Sequence, residues 1–95
     1  MYKIHFYENF KKNIKRFDVM RQELILKKID ILRINPDHTS LRTEKLYKGT
    51  KKSVRASSIN MNIRIIWQIE DDIIDILDVG GHDIYRKYKF KRKKQ

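Results

Sequence analysis

Four side chains in the second half of the sequence, Arg55, Arg64, His82 and Tyr85, are of types that could act together on a phosphate ester. Histidine titrates near neutrality and can accept or donate a proton. Arginine presents a planar fork that matches phosphate oxygens two at a time. A tyrosine ring can stack on an unpaired base or orient the phosphate. Cleaving RNA without a metal requires the 2′-hydroxyl to attack its own phosphate. That step needs a proton acceptor, a donor for the leaving oxygen and cations for the charge that develops. Each residue also has a plainer reading. His82 follows Gly80–Gly81 as a solvated loop residue would, Arg55 could pair with an acid of the last strand, and Tyr85 could plug a core. His5 and His38 read as structural. No pair of histidines or carboxylates has metal-ligand spacing, so neither a metal nor another cofactor is expected.

Strand parity decides whether these groups can meet. The runs 54–59 and 63–69 flank a polar link, Asn60–Met61–Asn62. A two-residue turn at Asn60–Met61 sets Ser57 opposite Arg64 and Arg55 opposite Ile66. Arg55, Ser57 and Arg64 then project from one face, with Val54, Ala56, Ile63, Ile65 and Trp67 on the other. A three-residue turn would break this parity. With the apolar set under the helices, both arginines are expected on an uncovered face. The last strand, Ile73–Val79, has apolar residues on both faces and its orientation stays open.

The elements that must carry these residues are legible in the periodicity. Tyr2, Ile4 and Phe6 alternate with polar residues as in a half-buried strand. Phe10, Ile14 and Phe17 mark one face of a helix over roughly residues 7–17. Asp18 is a natural N-cap for a second helix, in which Met20, Leu24 and Ile31 form one apolar row beside Ile25, Ile29 and Leu32. Asn35–Pro36 ends that helix. A short strand at Lys45–Tyr47, the two runs flanking Asn60–Asn62 and the last strand follow, the later ones as an antiparallel meander. The expected fold is α+β: an N-terminal strand and a two-helix hairpin on an antiparallel sheet of four to five strands, with a short C-terminal helix or basic tail. One domain is expected over residues 1–95.

Composition sets the outer bounds. Hydrophobic residues make up 40% of the 95, enough for one core and too many for a disordered chain. There is no cysteine to form a disulfide. The N-terminus shows no signal-peptide core and no run long enough for a membrane helix, so a soluble, cytoplasmic protein without a membrane partner is expected. The formal charge of +11 is segregated. Six basic residues and a single acid lie between Arg42 and Arg55, and seven basic residues and no acid from Arg86 to the end. Five acids and no base lie between Glu70 and Asp78. Such segregation is the footprint of a polyanion partner. Lys45, Lys48, Lys51, Lys52, Arg86 and Lys87 are the candidate RNA contacts, with 86–95 a basic tail that is mobile or ordered on binding.

This succession resembles the RelE/ParE toxin superfamily over nearly the whole chain. The resemblance rests on the helical hairpin ending at Asn35–Pro36, Glu44–Lys45–Leu46 with Gly49, Val54–Arg55–Ala56, Arg64–Ile65–Ile66–Trp67, and Val79–Gly80–Gly81–His82 leading to Tyr85–Arg86. It implies the toxin of a type II toxin–antitoxin pair. Such a toxin is a ribosome-dependent mRNA endonuclease that inhibits translation and is neutralised by a cognate antitoxin protein. By resemblance Arg55 and Arg64 act on the phosphate, and His82 and Tyr85 complete the catalytic set. Ser57 stands where the best-known branch has a lysine as general base, which leaves that role to His82. The His82–Tyr85 spacing is shorter than usual in the family. The alternatives are a ParE-like, non-catalytic inhibitor of DNA gyrase and a basic RNA-binding module without activity.

Overall fold

The computed structural model describes residues 1–47, 54–88 and 91–92, and the chain is α+β as expected. Strand β1 (Lys3–Phe6) leads into helix α1 (Glu8–Ile14), and helix α2 (Val19–Ile34) follows. A single 3-10 turn (Thr39–Leu41) precedes β2 (Glu44–Tyr47), β3 (Val54–Ser58), β4 (Arg64–Glu70) and β5 (Ile73–Gly80). Helix α3 (Ile84–Tyr88) and a two-residue strand, β6 (Lys91–Arg92), close the order. The strands form a sheet in the order β1-β5-β4-β3-β2-β6. β3, β4 and β5 are the antiparallel meander, while β1 runs parallel to β5 at one edge. Part of the basic tail thus lies in regular structure: Arg86 and Lys87 in α3, and Lys91–Arg92 paired with β2.

Local chemistry accounts for the helix limits. Asp18 caps α2 by accepting from the Arg21 amide at 2.9 Å, satisfying a donor that the first turn leaves unpaired. Pro36 stops the helix, and Asn35 is extended. Ile25, Ile29 and Leu32 are the buried row, whereas Met20, expected on an inward row, is 79% exposed. His38 has a local task, its Nδ1 accepting from the Ser40 amide at the start of the 3-10 turn. His5 Nδ1 lies 3.3 Å from Asp75 Oδ1 of β5.

The β3–β4 connection is where the structure departs most from the sequence reading. Ile59 donates to the Ile63 carbonyl at 2.9 Å, so the turn holds three residues, Asn60, Met61 and Asn62. The register is Arg55↔Trp67, Ser57↔Ile65 and Ser58↔Arg64. Parity is therefore reversed on β3. Ser57 and Ile59 join Ile63, Ile65 and Trp67 in the core under α1 and α2, with Phe10, Ile25, Ile29, Leu32 and Leu41. Val54 and Ala56 turn to the opposite face with Ile66. That face is not uncovered. Ile84 of α3 roofs a second core made of Leu46, Val54, Ala56 and Ile66, with Leu77 and Tyr85 at its margin.

The last strand resolves its two-sided pattern with a bulge. Trp67 pairs with Ile76 and Ile66 with Asp78, leaving Leu77 as the extra residue. Ile74, Ile76 and Val79 all reach the core under α1 and α2 despite the odd step between the last two, and Leu77 faces the second core.

The turn is held by one side chain. Asn60 Oδ1 accepts from the amides of Asn62 and Ile63, at 2.8 and 2.9 Å. Asn60→Ala is expected to lower unfolding free energy by about 1–2 kcal/mol, the usual worth of a capping side chain. Asn60→Asp, which keeps both acceptor positions, should retain most of it. Denaturant midpoints for the two variants are the measurement, and equal losses in both would contradict the account.

Candidate functional site

Arg64 and His82 meet at the end of the sheet. Arg64 opens β4 two residues after the three-residue turn, and its Nη1 donates to the carbonyls of Asn60 (2.7 Å) and Ile63 (3.2 Å). Two carbonyl anchors fix the guanidinium plane, and its Nη2 lies 3.5 Å from His82 Nε2. His82 follows directly on Gly80–Gly81, and its Nε2 also lies 3.2 Å from the Met61 carbonyl. As a donor, Nε2 serves Met61; as an acceptor, it faces Arg64. Nδ1 has no partner among the described residues. The arrangement therefore leaves one imidazole nitrogen open for proton transfer beside a cation held in place.

These groups open on a cleft of about 700 Å³, whose walls include Lys28, Ser40, Arg42, Ser58, Asn60 and Met61. Lys28 comes from α2 and is steadied by the Ser40 carbonyl at 3.3 Å. Arg42 sits just past the 3-10 turn in the left-handed conformation, with φ 45°. Three basic side chains thus line one cleft around His82. Lys28 was not among the sequence candidates, because nothing in a helix sequence announces that one lysine will face a loop turn far along the chain.

The other expected members of the set lie elsewhere. Arg55 and Arg64 do not share a face, because the three-residue turn placed them on opposite sides of the sheet. Arg55 lies over its cross-strand neighbour Trp67, with the guanidinium carbon 5.3 Å from the ring centroid, a cation–π contact. Ser57 is fully buried, accepting from Trp67 Nε1 at 2.8 Å and bonded to the Thr43 hydroxyl at 2.7 Å. It faces the core under the helices and lies away from the open cleft. Tyr85 packs against the second core, and its hydroxyl donates to Glu44 Oε2 at 3.0 Å. Of the four residues, the structure brings together Arg64 and His82.

The candidate RNA contacts divide similarly. Lys45 and Arg86 are exposed on β2 and α3. Lys48, Lys51 and Lys52 lie outside the described residues. Lys87 has a structural duty: its ammonium bonds to Asp78 Oδ2 at 3.1 Å, and Asp78 is fully buried. Asp78 Oδ1 accepts from Asn13 of α1 and from the Val79 amide, both at 2.7 Å. A buried carboxylate is tolerated only when its lone pairs are met in this way. Through it, α1 and α3 are tied to β5 two residues before Gly80–Gly81. Asp78 was legible only as part of an acidic run, since its partners lie on two other elements.

No protein-family model and no curated protein sequence matches the chain. Solved structures do. A chain of the archaeal RelE–RelB complex from Pyrococcus horikoshii OT3 superposes with a TM-score of 0.72 at 18% identity, over 84% of this chain and 93% of that one. A YoeB/ParE toxin from Agrobacterium tumefaciens gives 0.71 at 15% identity, over 84% and 98%. A chain of the E. coli DinJ–YafQ complex gives 0.65 at 17% identity, over 88% and 97%. The chain has the fold of the RelE-like toxins.

The Asp78 network separates the two exposed lysines Lys87 and Lys45. Lys87→Ala leaves a buried carboxylate short of a partner and is expected to cost about 1–3 kcal/mol of stability. Lys45→Ala should stay within about 0.5 kcal/mol of the parent, as surface changes do. Chemical denaturation of both variants is the check, and equal midpoints would deny the Asp78–Lys87 bond any structural weight.

Proposed function

We propose that the chain is the toxin of a type II toxin–antitoxin pair and acts as a ribosome-dependent endoribonuclease on mRNA. The observation that carries the reading is the Arg64–His82 pair: a guanidinium fixed by two carbonyls beside an imidazole with an open nitrogen, in a cleft lined by further cations. The shared fold supports the toxin role, since structures of that fold include toxins and toxin–antitoxin complexes. By the same reading a cognate antitoxin is its protein partner, and the work is done in the cytoplasm.

In this mechanism the RNA phosphate lies against Arg64. His82 Nδ1 takes the proton of the neighbouring 2′-hydroxyl, and the oxygen attacks phosphorus to form the O2′–P bond. Arg64, with Lys28 and Arg42 behind it, stabilises the charge on the non-bridging oxygens. The P–O5′ bond then breaks, and the leaving oxygen is protonated through water that reaches the exposed imidazolium. The products are a 2′,3′-cyclic phosphate and a free 5′-hydroxyl. Tyr85 and Arg55 stand outside this pair.

That last point favours a second reading. Tyr85 is engaged with Glu44 and Arg55 lies on the other face, so the catalytic set is smaller than the resemblance implies. A non-catalytic, gyrase-directed toxin would use the same fold.

Expression in growing cells, with mapping of mRNA 5′ ends and a supercoiling assay, decides between them. His82→Gln should reduce cleavage by about 10²–10⁴-fold, the usual worth of a general acid or base. Arg64→Ala should raise the barrier by roughly 2–4 kcal/mol, by analogy with donors to a developing oxyanion. Tyr85→Phe removes the hydroxyl bonded to Glu44 and should keep cleavage within several-fold. Intact messages together with undiminished toxicity in His82→Gln would remove the nuclease reading in favour of the gyrase one.

A further inference from the structure

Helix α1 and its exit carry a basic cluster that the sequence reading did not single out, Lys11, Lys12, Lys15 and Arg16, all exposed. Lys11 is paired with Glu8 at 3.7 Å. Lys12 and Arg16 make no ion pair among the described residues. Instead they line a second cleft, of about 380 Å³, between α1 and α3. Asn9 and Asn13 add polar groups to the same wall, and Gly80 and Gly81 form its near edge. His82, the next residue, belongs to the Arg64 cleft. The two basic clefts thus meet the chain at adjacent residues, Gly81 and His82. Gly81 is exposed and has no side chain, so at that residue only backbone forms the saddle between them.

We propose that the α1–α3 cleft is a second phosphate-binding subsite, which holds the RNA strand after it crosses the Gly81 saddle from the Arg64–His82 cleft. The proposal rests on the reading of that cleft as the cleavage site and names where the rest of the strand lies. Lys12 and Arg16 contact backbone phosphates. Contacts of this type set register and affinity and carry no sequence information. The α1–α3 tie through Asp78 joins the two walls of the cleft. The lining carries three cations, Lys12, Arg16 and Lys87, against one carboxylate, Asp83, which suits an anion, and apolar contacts decide between RNA and an acidic peptide. A peptide would need exposed apolar anchors, and the large exposed apolar side chains, such as Val19, Met20, Leu26 and Ile34, lie outside this cleft.

The test is binding of the full-length chain to uncleavable 2′-O-methyl RNA, as a function of salt, at two lengths: a dinucleotide and a strand of roughly 12 nucleotides, within the range of single-strand sites. The variant Lys12→Gln/Arg16→Gln should lower the slope of log affinity against log salt by about 1.4 for the long strand, at about 0.7 per phosphate contact in single strands. Its dinucleotide affinity should not change. Lys11→Gln/Lys15→Gln makes the same change in net charge on the same segment but away from the cleft, and should lower the slope by less than half as much. Both double variants should keep the parent's unfolding midpoint, since all four side chains are exposed. Equal slopes for the two double variants overturn the proposal, as does a Lys12/Arg16 effect confined to an acidic protein partner. Arg64→Ala serves as the separate control on the cleavage-site reading. It should weaken both lengths, and if it weakens neither while the Lys12/Arg16 effect persists, the cleavage-site reading falls and the α1–α3 cleft stands as an RNA site by itself.

Discussion

The three-residue turn at Asn60–Met61–Asn62 is the constraint on which most of the molecule depends. In a strand pair, side chains alternate between faces, so adding one residue to the connection sends one whole strand to the other side. Here that single residue gives the core under α1 and α2 the side chains of Ser57 and Ile59, and moves Val54 and Ala56 to the opposite face. The second core exists because of this exchange, and α3 has an apolar surface to dock on only because the second core exists. The turn also supplies the groups that hold the candidate site. The Asn60 and Ile63 carbonyls anchor Arg64, and the Met61 carbonyl meets His82. Turn, register and site are consequences of the same few hydrogen bonds.

A second constraint works from the other side of the site. Asp78 sits in the interior with an asparagine, a lysine and an amide around it. Burying a carboxylate is costly unless its partners are well placed, so the network has little freedom to rearrange. It joins α1 and α3 next to the Gly80–Gly81 turn and so limits where His82 can begin. The site is thus held at both ends, by neutral carbonyls on the β3–β4 turn and by a buried ionic contact beyond β5. Neither partner of His82 is a carboxylate, which distinguishes the arrangement from a histidine oriented by an acid.

Much of the fold was legible in the sequence because it depends on local rules. The period of Tyr2, Ile4 and Phe6 gave β1, the Asp18 cap and Asn35–Pro36 gave the limits of α2, and the order of elements gave the α+β class. What was not legible depends on single long-range choices. Asn60, Met61 and Asn62 are all acceptable turn residues, so composition could not say whether two or three of them form the loop. The bulge at Leu77 hid the orientation of β5, because it lets Ile76 and Val79 face the same core. Of the candidate site, Arg64 and His82 were placed together as expected, and Arg55 was lost with the parity argument. The plainer reading proved the better guide for Tyr85, and Arg55 meets a neighbour that neither reading named. Tyr85 packs on the margin of the second core, and Arg55 finds a structural neighbour in Trp67. Lys28 and the Lys12–Arg16 pair went unnoticed, since their positions beside the clefts are set by packing alone.

Covering both faces of the sheet has a consequence for where chemistry can occur. A small sheet with one open face could place polar groups at its centre, as the parity argument first suggested. With helices α1 and α2 below and α3 above, the central strands bury Ile65, Ile66 and Trp67 almost completely. Charged side chains cannot remain there without partners. They are displaced to the ends of the strands, where turns present backbone carbonyls and solvent is close. Arg64, the first residue of β4, and His82, just past the last residue of β5, occupy that boundary. They are near enough to the interior to be held and lie close to solvent. Functional groups on turns supported by a rigid scaffold are a general outcome of this geometry. In this chain it also concentrates positive charge on both sides of one glycine turn, which makes the end of the sheet, rather than its face, the surface that a polyanion would meet first.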